Sequence, residues 1–216
     1  ATVLMLIFKD SILGLVAGIQ LSLNKMLKVG DWITIKKLDI DGNVEEISLT
    51  TVKVRNFDNT ISTIPPYTLV SDTFQNWNAM VTTGARRIKR TLYIDVQSIR
   101  SLSLSEIEAL IAEKLLSQKD ITNNTNINLT LYRHHLSELF KKDKDIVQDQ
   151  WILVRQLNPT PNGLPLEIWL YTNNTNFVDY EEVAASRIES IIALLPTFHL
   201  QMFQSPTSSD FHNIKP

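Results

Sequence analysis

His134 and His135 are the side chains in this sequence best suited to hold a metal. Zinc pairs on a helix stand four residues apart, so that both imidazoles share one face. Adjacent helical residues point about 100° apart. There is no cysteine to complete a site, and His199 and His212 stand alone in the chain. The pair therefore reads as a solvated helical face. The acids point the same way. Glu45 and Glu46 are neighbours in a segment of strand character, which sends them to opposite faces. Asp39 and Asp41 flank a turn, where aspartate serves the backbone. Neither pair has the layout of a general acid and base. Nucleophile-elbow, zinc-protease, P-loop and dinucleotide-binding patterns are absent from the sequence. The remaining chemistry is charge. Arg86, Arg87, Lys89 and Arg90 form the densest basic cluster, and such a cluster beside a small barrel could bind RNA. The nearby aromatics Phe57, Phe74 and Trp77 are spaced as core anchors rather than as a stacking platform. No enzyme activity, metal or cofactor is expected.

Bulk composition narrows the classes further. With 44% hydrophobic and 20% charged residues among 216, most of the chain should fold as ordinary globular protein. A net charge of -2 argues against bulk electrostatic binding of nucleic acid. Zero cysteines exclude disulfides, thiolate zinc sites, iron–sulfur clusters and a thiol nucleophile, and suit a reducing compartment. The apolar run from Thr2 to Phe8 is interrupted by Lys9 and Asp10 and resumes from Ser11 to Leu23. A helical span needs about 20 mostly apolar residues. The segment reads as the remainder of a transmembrane helix cut by the start of the sequence. The alternative is a soluble protein with an apolar amphipathic N-terminal helix.

The elements that must carry these residues follow from pattern. Ser11 to Leu27 is helical, with Asp10 or Ser11 able to cap it. Gly14 and Gly18 share one face with Ala17 beside them, and close helix–helix approach is the usual reason for glycines at that spacing. Lys25 and Lys28 suit the helix end and a cytoplasmic membrane surface. Val29-Gly30-Asp31 breaks the helix. Short strands follow at Trp32 to Ile35, Val44 to Leu49, Thr51 to Phe57 and Thr60 to Ile64, with a hairpin signal at Asp41-Gly42. They predict a small five-stranded barrel. Val70, Phe74 and Trp77 anchor the connector, and Thr82-Thr83-Gly84 marks a boundary. Beyond it, strands are expected at Arg90 to Val96, Gln150 to Leu157 and Leu166 to Tyr171. Helices are expected at Ser105 to Leu116, with Ser105 as cap, at Thr130 to Lys141, and at Tyr180 to Leu195. This half is α+β over a mixed sheet. The tail after Ser205 is polar. Three Asn-X-Thr sequons, at Asn123, Asn128 and Asn173, are discounted without a secretory signal.

The segments LGLVAGIQL, KVGDWI, DGNVEEISLTTVKVR and TISTIPPYTLVSD, in that order, resemble the small-conductance mechanosensitive channel family. RRIKRTLYIDV, LVRQLNPTPNGLPLEIW and ESIIALLPTFHLQMFQSP look like its miniconductance branch. The resemblance covers roughly Leu6 to Pro206. It implies a ring-forming homo-oligomer, usually of seven subunits, in a bacterial inner membrane. A pore helix lines the ion path, and a hollow cytoplasmic vestibule admits ions through side portals. On it, residues 1–27 are the lower part of the pore-lining helix, 28–80 the β domain, 81–206 an α+β vestibule domain and 207–216 a flexible tail. Thr2 and Leu6 fall at or near the constriction. Gly14, Ala17 and Gly18 fall where pore helices pack against neighbours. The family's helix-breaking glycine is here Asp10, preceded by Lys9, so a gating bend needs another cause. Lys9 and Asp10 could form a charge ring that biases ion passage, or pair locally in the headgroup layer. Arg86, Arg87, Lys89 and Arg90 fall at the portals, where they shape ion access or pair with acids of the next subunit. The implied function is a tension-opened, weakly selective channel of low conductance that protects the cell in osmotic downshock. Its partners are its own copies, the bilayer, and permeating ions and small osmolytes, with no nucleic acid. The alternatives are an oligomeric membrane scaffold or sensor that conducts little, and a soluble RNA-binding barrel.

Overall fold

The computed structural model describes residues 2–24, 26–117 and 126–206, with side chains of the first helix described from Phe8 onward except those of Asp10, Ser11 and Ser22. The chain divides into two compact units at Thr83–Gly84.

In the first unit, helix α1 (Thr2–Leu23) is continuous through Lys9, Asp10 and Ser11. Those residues are helix interior rather than caps, and the helix stops four residues short of Leu27. Its end is set by the turn at 28–31. There the Asp31 carboxylate accepts from its own Lys28 amide at 3.0 Å and from Asn76 Nδ2 at 2.8 Å. Five strands follow: β1 (Trp32–Ile35), β2 (Ile40–Ile47), β3 (Val52–Asn56), β4 (Ile61–Ile64) and the two-residue β5 (Gln75–Asn76). They form one antiparallel sheet in the order β4-β3-β2-β1-β5. The expected five strands are present. The expected barrel is corrected to an open sheet, because β4 and β5 are its two edges and are not paired to each other among the described residues. Helices α2 (Pro66–Ser71) and α3 (Asn78–Thr83) flank β5.

Alternation builds the core of this unit. Ile33, Ile35, Ile40, Val44, Val52, Val54 and Ile64 point to one side and are buried with Leu21 and Leu27, while α1 packs on α2 through that side. The β1–β2 turn is a single 3-10 turn at Lys36–Leu38, completed by Asp39 in the left-handed region. Asp41-Gly42 is therefore not the hairpin turn but part of β2. Gly42 is there because the strands touch: a Cβ on it would lie 2.0 Å from the Arg55 carbonyl oxygen.

The second unit contains β6 (Arg86–Ile94), α4 (Leu104–Ala112), α5 (Asn128–Lys141), β7 (Leu153–Gln156), β8 (Leu164–Thr172) and α6 (Phe177–Leu194). The sheet order is β6-β8-β7, antiparallel throughout. The mixed sheet expected from the sequence is thus corrected. The α4–α5 connection carries the chain past the centre to the far edge, and the β7–β8 hairpin returns it to the middle. One sheet face carries Ile88, Leu92, Leu166, Ile168 and Leu170, packed with Leu129, Leu131, Tyr132, Leu136, Phe140 and Ile191 of the helices. Burial of that apolar area, at about 25 cal/mol per Å², is what holds helices to sheet.

Candidate functional site

Helix α1 has two unlike sides. Ala17 and Leu21 are 2% and 1% exposed. On the opposite side Phe8, Ile12, Leu15, Ile19 and Leu23 repeat at spacings of three and four and are all exposed, Leu23 by 76%. A soluble helix would carry polar residues there. Lys9 is exposed as well. The side chains of Thr2, Leu6 and Asp10 lie outside the described ones. Among the described residues no helix is long and apolar enough to cross a membrane.

The two glycines of α1 differ. A Cβ on Gly14 would meet nothing within 4 Å. A Cβ on Gly18 would lie 2.5 Å from the Leu49 carbonyl oxygen, in the β2–β3 turn. The close approach at Gly18 is therefore made to the chain's own sheet.

The basic cluster, dense in sequence, is divided in space by strand alternation. Arg86 and Arg90 project to the helix side of the sheet. Arg86 is 9% exposed, donates to the Thr175 carbonyl at 3.1 Å and lies 3.9 Å from the Tyr180 ring centroid. Burial lowers its pKa, partly opposed by Tyr180 and Glu181. Arg90 reaches Glu181 at 3.4 Å. Arg87 and Lys89 project to the other face, over Trp169 at 4.7 and 5.2 Å, and Arg155 of β7 joins them at 5.8 Å. Beneath them Glu167, 3% exposed, bonds Arg155 at 2.6 Å and Lys89 at 3.3 Å. Burial alone would raise the Glu167 pKa, but the two cations outweigh it and hold the carboxyl below its ordinary value. The acids that pair with Lys89 and Arg90 thus belong to the same chain. Sequence reasoning missed Glu167 and Trp169, though a glutamate inside the run LPLEIWLYT was a signal of a buried charge with a partner.

His135 is structural: its Nδ1 is 2.5 Å from the Leu115 carbonyl oxygen, and its ring lies 5.5 Å from Phe198. Among the described residues no group of three metal-ligating side chains occurs. Glu45 and Glu46 depart from expectation. A bulge between Val44 and Glu46 turns both outward, where they pair with Arg55 and Lys53 at 2.6 and 2.7 Å. Asp41 serves side chains rather than only its turn, accepting from Trp32 Nε1 at 2.7 Å and Thr34 Oγ1 at 2.8 Å. The aromatics are also regrouped. Phe74 packs on the core as expected, but Trp77 stacks on Trp32 at 4.9 Å and Phe57 is 58% exposed beside it.

Comparison with known proteins agrees with this arrangement. The model of the mechanosensitive ion channel β-domain matches residues 10–79, which takes in α1 from Asp10 and all five strands. An uncharacterised MscS family protein of Aquifex aeolicus is 25% identical over 175 residues, 81% of this chain and 39% of its own length. The small-conductance mechanosensitive channel MscMJ of Methanocaldococcus jannaschii is 28% identical over 135 residues, 62% of this chain and 35% of its own. The chain thus spans less than two-fifths of either relative. The cryo-EM structure of Arabidopsis thaliana MSL1 superposes with a TM-score of 0.70 at 10% identity, over 94% of this chain and 62% of that one. Residues 10–79 thus match the β-domain of mechanosensitive ion channels, and the chain is similar in sequence to members of the small-conductance mechanosensitive channel family.

Proposed function

We propose that this chain is the lower pore helix and cytoplasmic part of a tension-gated ion channel. The observation that carries the reading is α1 itself, which seats one side on its β unit and presents the exposed apolar residues Phe8, Ile12, Leu15, Ile19 and Leu23 on the other. In a ring, that stripe faces neighbouring helices or lipid. The two open sheet edges are then covered by adjacent copies, since exposed edges are otherwise sites of uncontrolled pairing. Seven subunits, an inner-membrane location, low conductance, weak selectivity, a role in osmotic downshock and the miniconductance branch belong to the same proposal. Tension acts as a population shift: open and closed rings differ in area, and stretch favours the wider one. Thr2 and Leu6 are proposed to stand at the constriction, and Lys9 and Asp10 to form a charged ring at the membrane edge. Arg87, Lys89 and Arg155 are proposed to set a positive potential beside the ion path.

The RNA-binding reading loses ground for a physical reason. Two cations of the first sheet carry their own acids, Lys53 with Glu46 and Arg55 with Glu45. The test is patch recording of the full-length protein, under suction ramps, in a membrane lacking other tension-gated channels. Small unitary steps that appear with tension are expected. Silence up to rupture from an assembled ring would reject conduction and leave the scaffold or sensor.

A further inference from the structure

Gly18 and the β2–β3 turn meet more closely than core filling requires. Ordinary contact for a Cβ begins near 3.4 Å, and a Cβ on Gly18 would stand 2.5 Å from the Leu49 oxygen, 3.1 Å from its carbonyl carbon and 3.2 Å from its Cα. All three atoms are backbone, so no rotamer relieves the clash. The turn is also braced. Ser48 N donates to the Thr51 carbonyl at 2.8 Å, Thr51 N donates to Ser48 Oγ at 3.0 Å, and the two hydroxyl oxygens are 2.8 Å apart. A braced backbone tip therefore occupies the space of a missing side chain, between the buried Ala17 and Leu21. Gly14, one turn earlier, has no such neighbour. Glycine in a helix interior is unfavourable against alanine, and at Gly18 the compensation is visible.

We propose that the Ser48–Thr51 turn is a steric latch on α1, and that its seat at Gly18 selects the tilt of the helix relative to the sheet. The contact lies within one chain. Its consequence for opening rests on the reading of α1 as the pore helix. Because the opposite side of α1 carries only exposed apolar side chains at its stripe, the seat restrains the helix from one side. A tilt of α1 must either carry the turn along or unseat it, which makes the contact a two-state element.

The experiment uses the full-length protein in lipid vesicles. Spin labels are placed at the exposed positions Asn24→Cys and Thr50→Cys, in rings diluted with unlabelled subunits, and their separation is read by pulsed electron resonance. The described chain has no cysteine to interfere. Gly18→Ala is expected to lengthen and broaden the separation, and Gly14→Ala to leave it as in the parent. Adding Ser48→Ala to Gly18→Ala removes the brace, lets the carbonyl yield and moves the separation back towards the parent. General destabilisation would instead worsen it. If Gly18→Ala fails to assemble, Ser48→Ala alone is expected to broaden the distribution. Under suction, Gly18→Ala is expected to shift the tension of half-opening and Gly14→Ala to leave it in place. An unchanged separation in Gly18→Ala, or an equal change in Gly14→Ala, overturns the latch. A changed separation with unchanged opening overturns its consequence for opening. A silent parent with the expected separations rejects the channel reading and leaves the latch standing.

Discussion

Asn128 shows how a single residue can change meaning between sequence and structure. In the sequence it opens a glycosylation sequon. In the structure it is fully buried and uses its whole amide: Nδ2 donates to the carbonyls of Ser98 at 2.9 Å and His199 at 3.3 Å, and Oδ1 accepts from the amides of Arg100 and Leu129. One side chain stitches three distant segments together. Removing it leaves buried backbone groups unpaired, so Asn128→Ala should cost about 1–3 kcal/mol, measured by chemical unfolding of the full-length protein. Tyr132 is the apolar counterpart. Its hydroxyl donates to the Ile191 carbonyl at 2.6 Å, and burial pushes the phenol pKa well up.

At the scale of elements, local signals gave existence and type, and tertiary contacts chose among near-equal boundaries. The stretch SLSEIE contains two overlapping cap patterns, Ser103 with Glu106 and Ser105 with Glu108. Ser103 is the cap, with a complete capping box. Arg100 decides it, by gripping Glu106 through two nitrogens at 3.1 and 2.6 Å. Ser103→Ala should therefore cost about 1 kcal/mol, while Ser105→Ala stays within about 0.5 kcal/mol, both measurable as shifts in thermal midpoint. The Asp41-Gly42 pair is a similar case. Its composition fits a turn, but Gly42 sits opposite Asn56 of β3, and a Cβ on it would lie 2.0 Å from the Arg55 carbonyl oxygen. Gly42→Ala should separate β2 from β3 and cost about 1–3 kcal/mol or more, with faster amide exchange along both strands.

For the whole molecule, charge couples stability to pH. Glu167 and Asp143 are both held below their ordinary pKa. For each, burial opposes the shift and paired cations drive it: Arg155 and Lys89 for Glu167, Arg187 for Asp143. A carboxyl with a depressed folded pKa contributes stability that is complete above its unfolded value, about 4, and lost as pH falls through the folded one. The protein should therefore weaken on acidification below about pH 5, and Glu167→Gln should flatten that slope while lowering stability at neutral pH. Thermal unfolding of both proteins across that range checks the sign. A steeper slope in the variant would contradict it.

The sequence by itself determined the order of elements, the lack of cysteine thiol chemistry, the α+β second half and the family resemblance. Those depend on local periodicity, turn residues and residue types, which are written along the chain. Tertiary structure alone decided that the first sheet is open and that the bulge turns Glu45 and Glu46 to one side. It alone brought Gly18 against Leu49 and set Glu167 beneath Lys89 and Arg155. Each of these depends on which distant backbone lies alongside, and contacts between residues far apart in sequence leave no periodic trace along it.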